Sequence, residues 1–130
     1  LVPNETIGKV VKYFEFAQNK ESGGFTYAPN GKASVSLACT AGGSYCAQLA
    51  GQRDSEMVKT SLRYLKKESP AIFSKAGTHY FYTHYYAIQT MVQAGDEYYA
   101  KWYPQIRDAL IIILTAPPSL HSHLPAVENA

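Results

Sequence analysis

Charge is what this chain has least of. Only 12 of its 130 residues are Lys or Arg and 10 are Asp or Glu, 17% in all beside an apolar content of 46%, where globular chains carry about 25% charged residues. No basic run exceeds Lys66-Lys67, so the clustered cationic face that nucleic acid demands is missing and nucleic acid is not expected as a partner. Long apolar runs are missing as well. The longest, Ala109 to Leu114, falls far short of the roughly 20 residues that span a bilayer, and an integral membrane protein is not expected. Cysteine is nearly absent. Cys39 and Cys46 fall seven positions apart in one predicted helix, which sets their Cα atoms about 10.5 Å apart, whereas a disulfide needs them within roughly 7 Å. Both read as small buried apolar residues, and the compartment stays open. No secretory signal is visible, and a chain starting at Leu1 reads as a processed product or an excerpt of something longer. So low a surface charge points to an exterior partly covered, by further repeats or by a partner.

Present in place of these features is a repeated ending. Ser36 to Gly51 and Phe81 to Gly95 each read as a helix closing on Gln, Ala and Gly, and a further helix follows each. The two terminal glycines are 44 positions apart, a spacing typical of stacked helical hairpins. One hairpin cannot bury its apolar face alone, so stability in such folds belongs to the array.

Five helical segments are predicted. The first runs from Asn4, as N-cap, to Gln18, with Ile7, Val10, Val11, Phe14 and Ala17 as its apolar stripe. Ser22-Gly23-Gly24 stops it, Phe25 to Pro29 is a short extended link, and Asn30-Gly31 signals a turn. The second, Ala33 to Leu49, is rich in small residues. Gly42-Gly43 would cost a solvated helix about 1 kcal/mol each, so this helix is placed inside, where backbones approach closely. The third, Asp54 to Lys67, is amphipathic and outer, ends before Pro70, and is followed by a loop from Ala71 to Thr78. The fourth, His79 to Ala94, has no Lys, Arg, Asp or Glu, and a helix apolar all round is expected to be buried. The fifth is in two parts, Asp96 to Trp102 and then Pro104, at a first helical position, to Leu114. Pro117-Pro118 closes it, and 116–130 reads as an irregular tail. Charged and uncharged helices therefore alternate, as two concentric layers would require.

Gln18 to Tyr27, with its Gln and Gly23-Gly24-Phe25, resembles the Gln…Gly-Gly-Phe signature of the prenyltransferase and squalene-cyclase repeat (the terpenoid cyclase/protein prenyltransferase family). There an outer helix ends in Gln, a Gly-Gly-Phe turn follows, and a small-residue inner helix comes next. Tyr85 to Gly95, followed by Glu97 to Pro104 and Arg107 to Leu110, is similar to the last repeats of members of the same superfamily. The likeness covers residues 4–115 and implies an all-α fold, an α/α toroid-like arc of alternating inner and outer helices. It departs after Leu114, where Pro117-Pro118 stands in place of another Gln and glycine-aromatic turn.

The catalytic motifs of that family do not carry over. No Asp-rich acid motif is present, and Cys39-Thr40-Ala41 is flanked by Ala38 and Gly42 where cyclases of this kind have carboxylates. No Asp-x-Cys zinc spacing surrounds Cys39 or Cys46, and no thioester Cys-Gly-Glu-Gln occurs. His121 and His123 make only two ligands of a metal site, and His79 and His84 point to different sides of their helix. No catalytic residue, metal ligand or cofactor is expected from this chain. One helix face does suggest a ligand: Tyr82, Tyr85, Tyr86 and Gln89 share the i, i+3, i+4, i+7 spacing, and aromatic faces of this kind line the cavity in cyclases and stabilise cations. The bland alternative is that these rings pack between layers. The reading is a noncatalytic repeat module that binds a protein partner or apolar ligand on its concave face, or self-associates through uncapped repeats. The alternative is a fragment of an isoprenoid-handling enzyme whose catalytic residues lie outside this chain.

Overall fold

The computed structural model describes residues 2–28, 34–74 and 79–115, with the backbone alone over 69–74. Their regular structure is helical: α1 (Asn4–Ala17), α2 (Leu37–Ala47), α3 (Glu56–Ser74), α4 (Tyr80–Ala94) and α5 (Asp96–Thr115). A π turn, Gln48–Gln52, prolongs α2. Outside the helices the chain pairs only through two isolated antiparallel bridges, Gln18 with Phe25 and Thr26 with Val35, among the described residues. Asn30-Gly31, Pro117-Pro118, His121, His123 and the tail 116–130 lie outside the described residues.

The five expected helices are found, with corrected ends. Asn4 is inside α1 and does not cap it. The cap position is Pro3, whose carbonyl accepts the Thr6 and Ile7 N–H groups at 3.0 and 3.2 Å. The second helix starts later than expected because Ser36 is extended and its hydroxyl accepts the Cys39 N–H at 3.3 Å, an ordinary serine cap. Two prolines expected to mark helix boundaries, Pro70 after the third helix and Pro104 at the start of the second part of the fifth, do not. α3 passes Pro70 to Ser74, so 71–74 are helix and not loop. α5 is one helix with Pro104 inside it. An interior proline costs about 3 kcal/mol; Trp102 and Ile106, both buried, pin the helix to the core on either side of Pro104.

The repeated ending turns the chain in both places, though not with the same backbone: ψ is 12° at Gly51, within the π turn, and 171° at Gly95. Gly51 and Gly95 both take positive φ, 82° and 115°, and each turns the chain from one helix into the next, so α2–α3 and α4–α5 are two hairpins. α2 is the helix on which the others meet, packing against α1, α3 and α4. Its small residues make this possible. Ala41 and Ala47 are fully enclosed, and a Cβ on Gly43 would come within 3.2 Å of the Phe25 ring. α2 and α4 run in the same sense, since their contacts advance together: Gly42 beside Tyr82, Tyr45 beside Tyr86, Gln48 beside Thr90. Buried hydroxyls tie the helices: Thr90 donates to the Ala41 carbonyl at 2.8 Å, and Ser61 donates to Ser44 at 2.8 Å.

The glutamine closing α1 is a clamp. Gln18 is buried, and its side-chain nitrogen stands 2.9 Å from the Gly23 carbonyl, the Met57 carbonyl and the Thr60 hydroxyl. An amide has two protons, so one is shared. The end of α1, the turn after it and the first turns of α3 are thereby joined at one atom. Gly23 allows this closeness: its φ is 81°, and a Cβ there would lie 2.7 Å from the Thr60 carbonyl oxygen. Phe25 follows into the core and donates its N–H to the Thr40 hydroxyl at 2.9 Å.

Burial departs from expectation in one respect. α4 is not enclosed all round. Tyr80, Thr83, His84, Ala87, Thr90 and Met91 face inward, while Phe81, Tyr82, Tyr85 and Val92 are exposed along the other side. The helix is apolar beyond what the chain itself covers. α3 is charged on its outer side but brings Met57, Val58, Leu62 and Leu65 to the core. α2 is the most enclosed helix, with Cys46 its one exposed residue, while α4 is more buried than α1 and α5 but no more so than α3 over its described side chains.

Replacing Gln18 with Ala is expected to destabilise the chain by about 1–2 kcal/mol, since the buried Gly23 carbonyl loses its donor and the link to α3 is lost. The Met57 carbonyl keeps the Thr60 hydroxyl as a donor at 3.0 Å. Gly23→Ala should cost at least as much, because it adds backbone strain to a clash with a carbonyl. Chemical denaturation followed by circular dichroism checks both; a Gln18→Ala midpoint equal to that of the parent would remove the clamp from this account.

Candidate functional site

The four residues Tyr82, Tyr85, Tyr86 and Gln89 do share one side of α4, and it is the uncovered side. Tyr82 is 52% exposed and Tyr85 60%, while Tyr86 and Gln89 are half-buried. The rings touch: Tyr86 lies 4.7 Å from Tyr82 and 5.1 Å from Tyr85, centre to centre, and 6.3 Å from Tyr45 of α2. Gly42 of α2 lies beside them: a Cβ there would be in ordinary contact, 3.8 Å from the Tyr82 hydroxyl and 3.9 Å from the Tyr86 ring. Tyr82 therefore leans across the seam between the helices, and its phenol is pushed up, first by loss of solvent at the hydroxyl and then by Tyr86, Cys39 and Cys46.

The face continues onto α2 and beyond the four residues. Cys46 and Leu49 are exposed there, Leu49 to 60%, and Phe81 and Val92 extend it along α4. The spacing rule found the α4 stripe but missed these neighbours, because which side of α2 is left uncovered depends on where Phe25 and α3 dock. Cys39 is half-buried, but Cys46 is not the buried apolar residue expected of it; only its sulfur is sheltered enough for burial to push the thiol up.

Two hollows form elsewhere among the described residues: one of about 290 Å³ between α3 and α5, and one of about 640 Å³ where α1 meets α3. Neither is lined by Tyr82, Tyr85, Tyr86 or Gln89. Tyr82 and Tyr85, each more than half exposed, are not enclosed between layers. Chemically the face offers rings, hydroxyls, an amide and thiols. Neither α2 nor α4 has a carboxylate, ammonium or guanidinium group, so the face has no strong acid or base to lend a reaction. His84 is on the opposite side, against Tyr80 at 4.3 Å and Trp102 at 6.1 Å, and His79 is exposed at the head of α4. Among the described residues no three His, Cys, Asp or Glu side chains gather as a metal site would require, and no helix is long and apolar enough to cross a membrane.

Exposure decides how the tyrosines respond to substitution. Tyr85→Phe should change stability by less than about 0.5 kcal/mol, as surface changes do. Tyr80→Phe is the contrasting case: its hydroxyl is buried with no partner among the described residues, so its removal should leave stability unchanged or raise it by about 1 kcal/mol. Thermal melts of the two variants check this, and a marked loss at Tyr80 would reveal a hydrogen bond to that hydroxyl. Against known proteins, no family model, no curated protein and no solved structure matches this chain.

Proposed function

We propose that this chain is an arc of a prenyltransferase- and squalene-cyclase-like α/α toroid, serving as a noncatalytic repeat module whose uncharged α2/α4 face takes up a protein partner or an apolar ligand. The observation that carries the reading is the exposure of Cys46 on α2, of Leu49 just after it, and of Tyr82, Tyr85 and Val92 on α4. The two helices pack on one another and carry no Lys, Arg, Asp or Glu. Solvent-facing helices ordinarily carry charge on their outer side, and α1, α3 and α5 do. Large apolar patches mark interaction sites. The Gln18 clamp, the Gly23-Gly24-Phe25 turn and the parallel, uncharged α2 and α4 support the arc, with α1, α3 and α5 as its outer layer. Exposed apolar side chains at both ends of the array, Phe16 on α1 and Ile112 and Leu114 on α5, fit repeats whose neighbours are not in this chain.

The second reading, an isoprenoid-handling enzyme with its catalytic residues elsewhere, would use the same tyrosines as a cavity wall, and one experiment separates the two. Light scattering over a range of concentrations is done on the parent and on Leu49→Glu/Tyr85→Glu, each also titrated with farnesol. A parent that self-associates and a double variant that is monomeric with the same helical content support a protein-binding face. Farnesol binding that the double variant loses supports the apolar ligand. A parent that stays monomeric at high concentration and ignores farnesol overturns the proposal.

A further inference from the structure

The side of the molecule away from the tyrosines has a different chemistry. Between α3 and α5 the surface opens into a hollow of about 290 Å³, at the lower end of the volumes that hold small ligands. Its apolar lining comes from Met91 and Trp102, both buried, and from the half-buried Tyr98. Its polar lining includes Arg63 and Lys66 of α3 and Lys101 and Glu97 of α5. Three cations thus meet one carboxylate, and that carboxylate is already engaged: Glu97 accepts from Lys101 at 2.8 Å, and its carboxyl is held below the ordinary range by that hydrogen bond and charge, with Lys66 adding a smaller share. Arg63 has a single long ion pair, 3.9 Å to Glu56, and Lys66 is in no ion pair within 4.0 Å among the described residues. A sulfur and two aromatic rings beside two cations with little to neutralise them form an amphipathic site.

We propose that this groove binds a small aromatic carboxylate, its ring against Met91, Tyr98 and Trp102 and its carboxylate on Arg63 and Lys66. The planar guanidinium fork suits a carboxylate's two oxygens, thioethers and aromatic rings favour a ring as neighbour, and the volume admits a one- or two-ring body and little more. The site stands apart from the α2/α4 face and does not rest on the function proposed for it.

Trp102 is the only tryptophan of the chain, so its fluorescence reports on this groove directly. The probe is phenylacetate, with phenethyl alcohol as its neutral and phenethylamine as its cationic counterpart. Phenylacetate should give a saturable change in tryptophan emission that weakens as salt is raised. The alcohol and the amine should bind at least about tenfold more weakly, and Arg63→Gln/Lys66→Gln should weaken phenylacetate by about tenfold or more, the worth of a charge-assisted contact. Both side chains are exposed, so helical content should be retained, and Tyr85→Glu on the other face should leave the titration as in the parent. No saturable change with phenylacetate, equal binding of the three probes, or a double variant that binds phenylacetate as the parent does would each overturn the proposal.

Discussion

Everything in this fold leans on the narrowness of α2. A helix with Ala41, Gly43, Ser44 and Ala47 on its surface lets three other elements reach it at backbone distance: Phe25 over Gly43, Ser61 of α3 at Ser44, and Thr90 of α4 at the Ala41 carbonyl. Close packing of this kind leaves no room for a charged side chain. The buried hydroxyls of Ser61 and Thr90 hydrogen-bond to Ser44 and to the Ala41 carbonyl at 2.8 Å. Larger residues at these positions would force the neighbours outward, with the strain that overpacking brings. Gly43, which looks costly in an isolated helix, is thus what lets Phe25 dock on α2.

The exposed face follows from the same constraint. Three neighbours occupy most of the circumference of α2, and α2, α3 and α5 take up one half of α4. What remains uncovered on both helices lies on one side, and it has inherited the uncharged character of the helices that bear it. Polar residues could have been placed there without disturbing the core, as Lys59, Arg63 and Lys66 are on α3. That rings, Leu49 and Val92 stand there instead is a feature of the surface in its own right and not a by-product of packing.

What could be read in advance depended on the range of the interaction. Helix identity and the repeated Gln…Ala-Gly endings are local, and they were legible: Gly51 and Gly95 take the positive φ that turns a chain out of a helix. The alignment of Tyr82, Tyr85, Tyr86 and Gln89 on one side of α4 is also local and held. Pro104 misled because a local rule met a tertiary force: Trp102 and Ile106, both buried, hold α5 together across its proline. Burial was the least legible quantity. An apolar helix says that something must cover it, not that this chain does, and Cys46 looks as apolar as Cys39 until the direction of α2 is known. The α3/α5 groove gave no signal at all, since Arg63 and Lys66 read as the solvated face of α3 and Lys101, which joins them, is 35 positions further along the chain than Lys66.

Gln18 shows how a local motif and a long-range contact can be the same residue. In the sequence it is the last letter of a helix and the first of a Gly-Gly-Phe turn. In space its amide holds that turn's Gly23 carbonyl while reaching Met57 and Thr60 on a helix 39 and 42 positions further on. A leucine there would fill the same space but take the donor from the Gly23 carbonyl and break the link to Met57 and Thr60, and a glutamate would bring a charge against these oxygens. Only an amide of this length can close α1, shape the turn and fix α3 at once. The turn in turn delivers Phe25 to Gly43, so the clamp also sets the register in which α2 docks, and with it the side of α2 that is left to face outward beside the tyrosines.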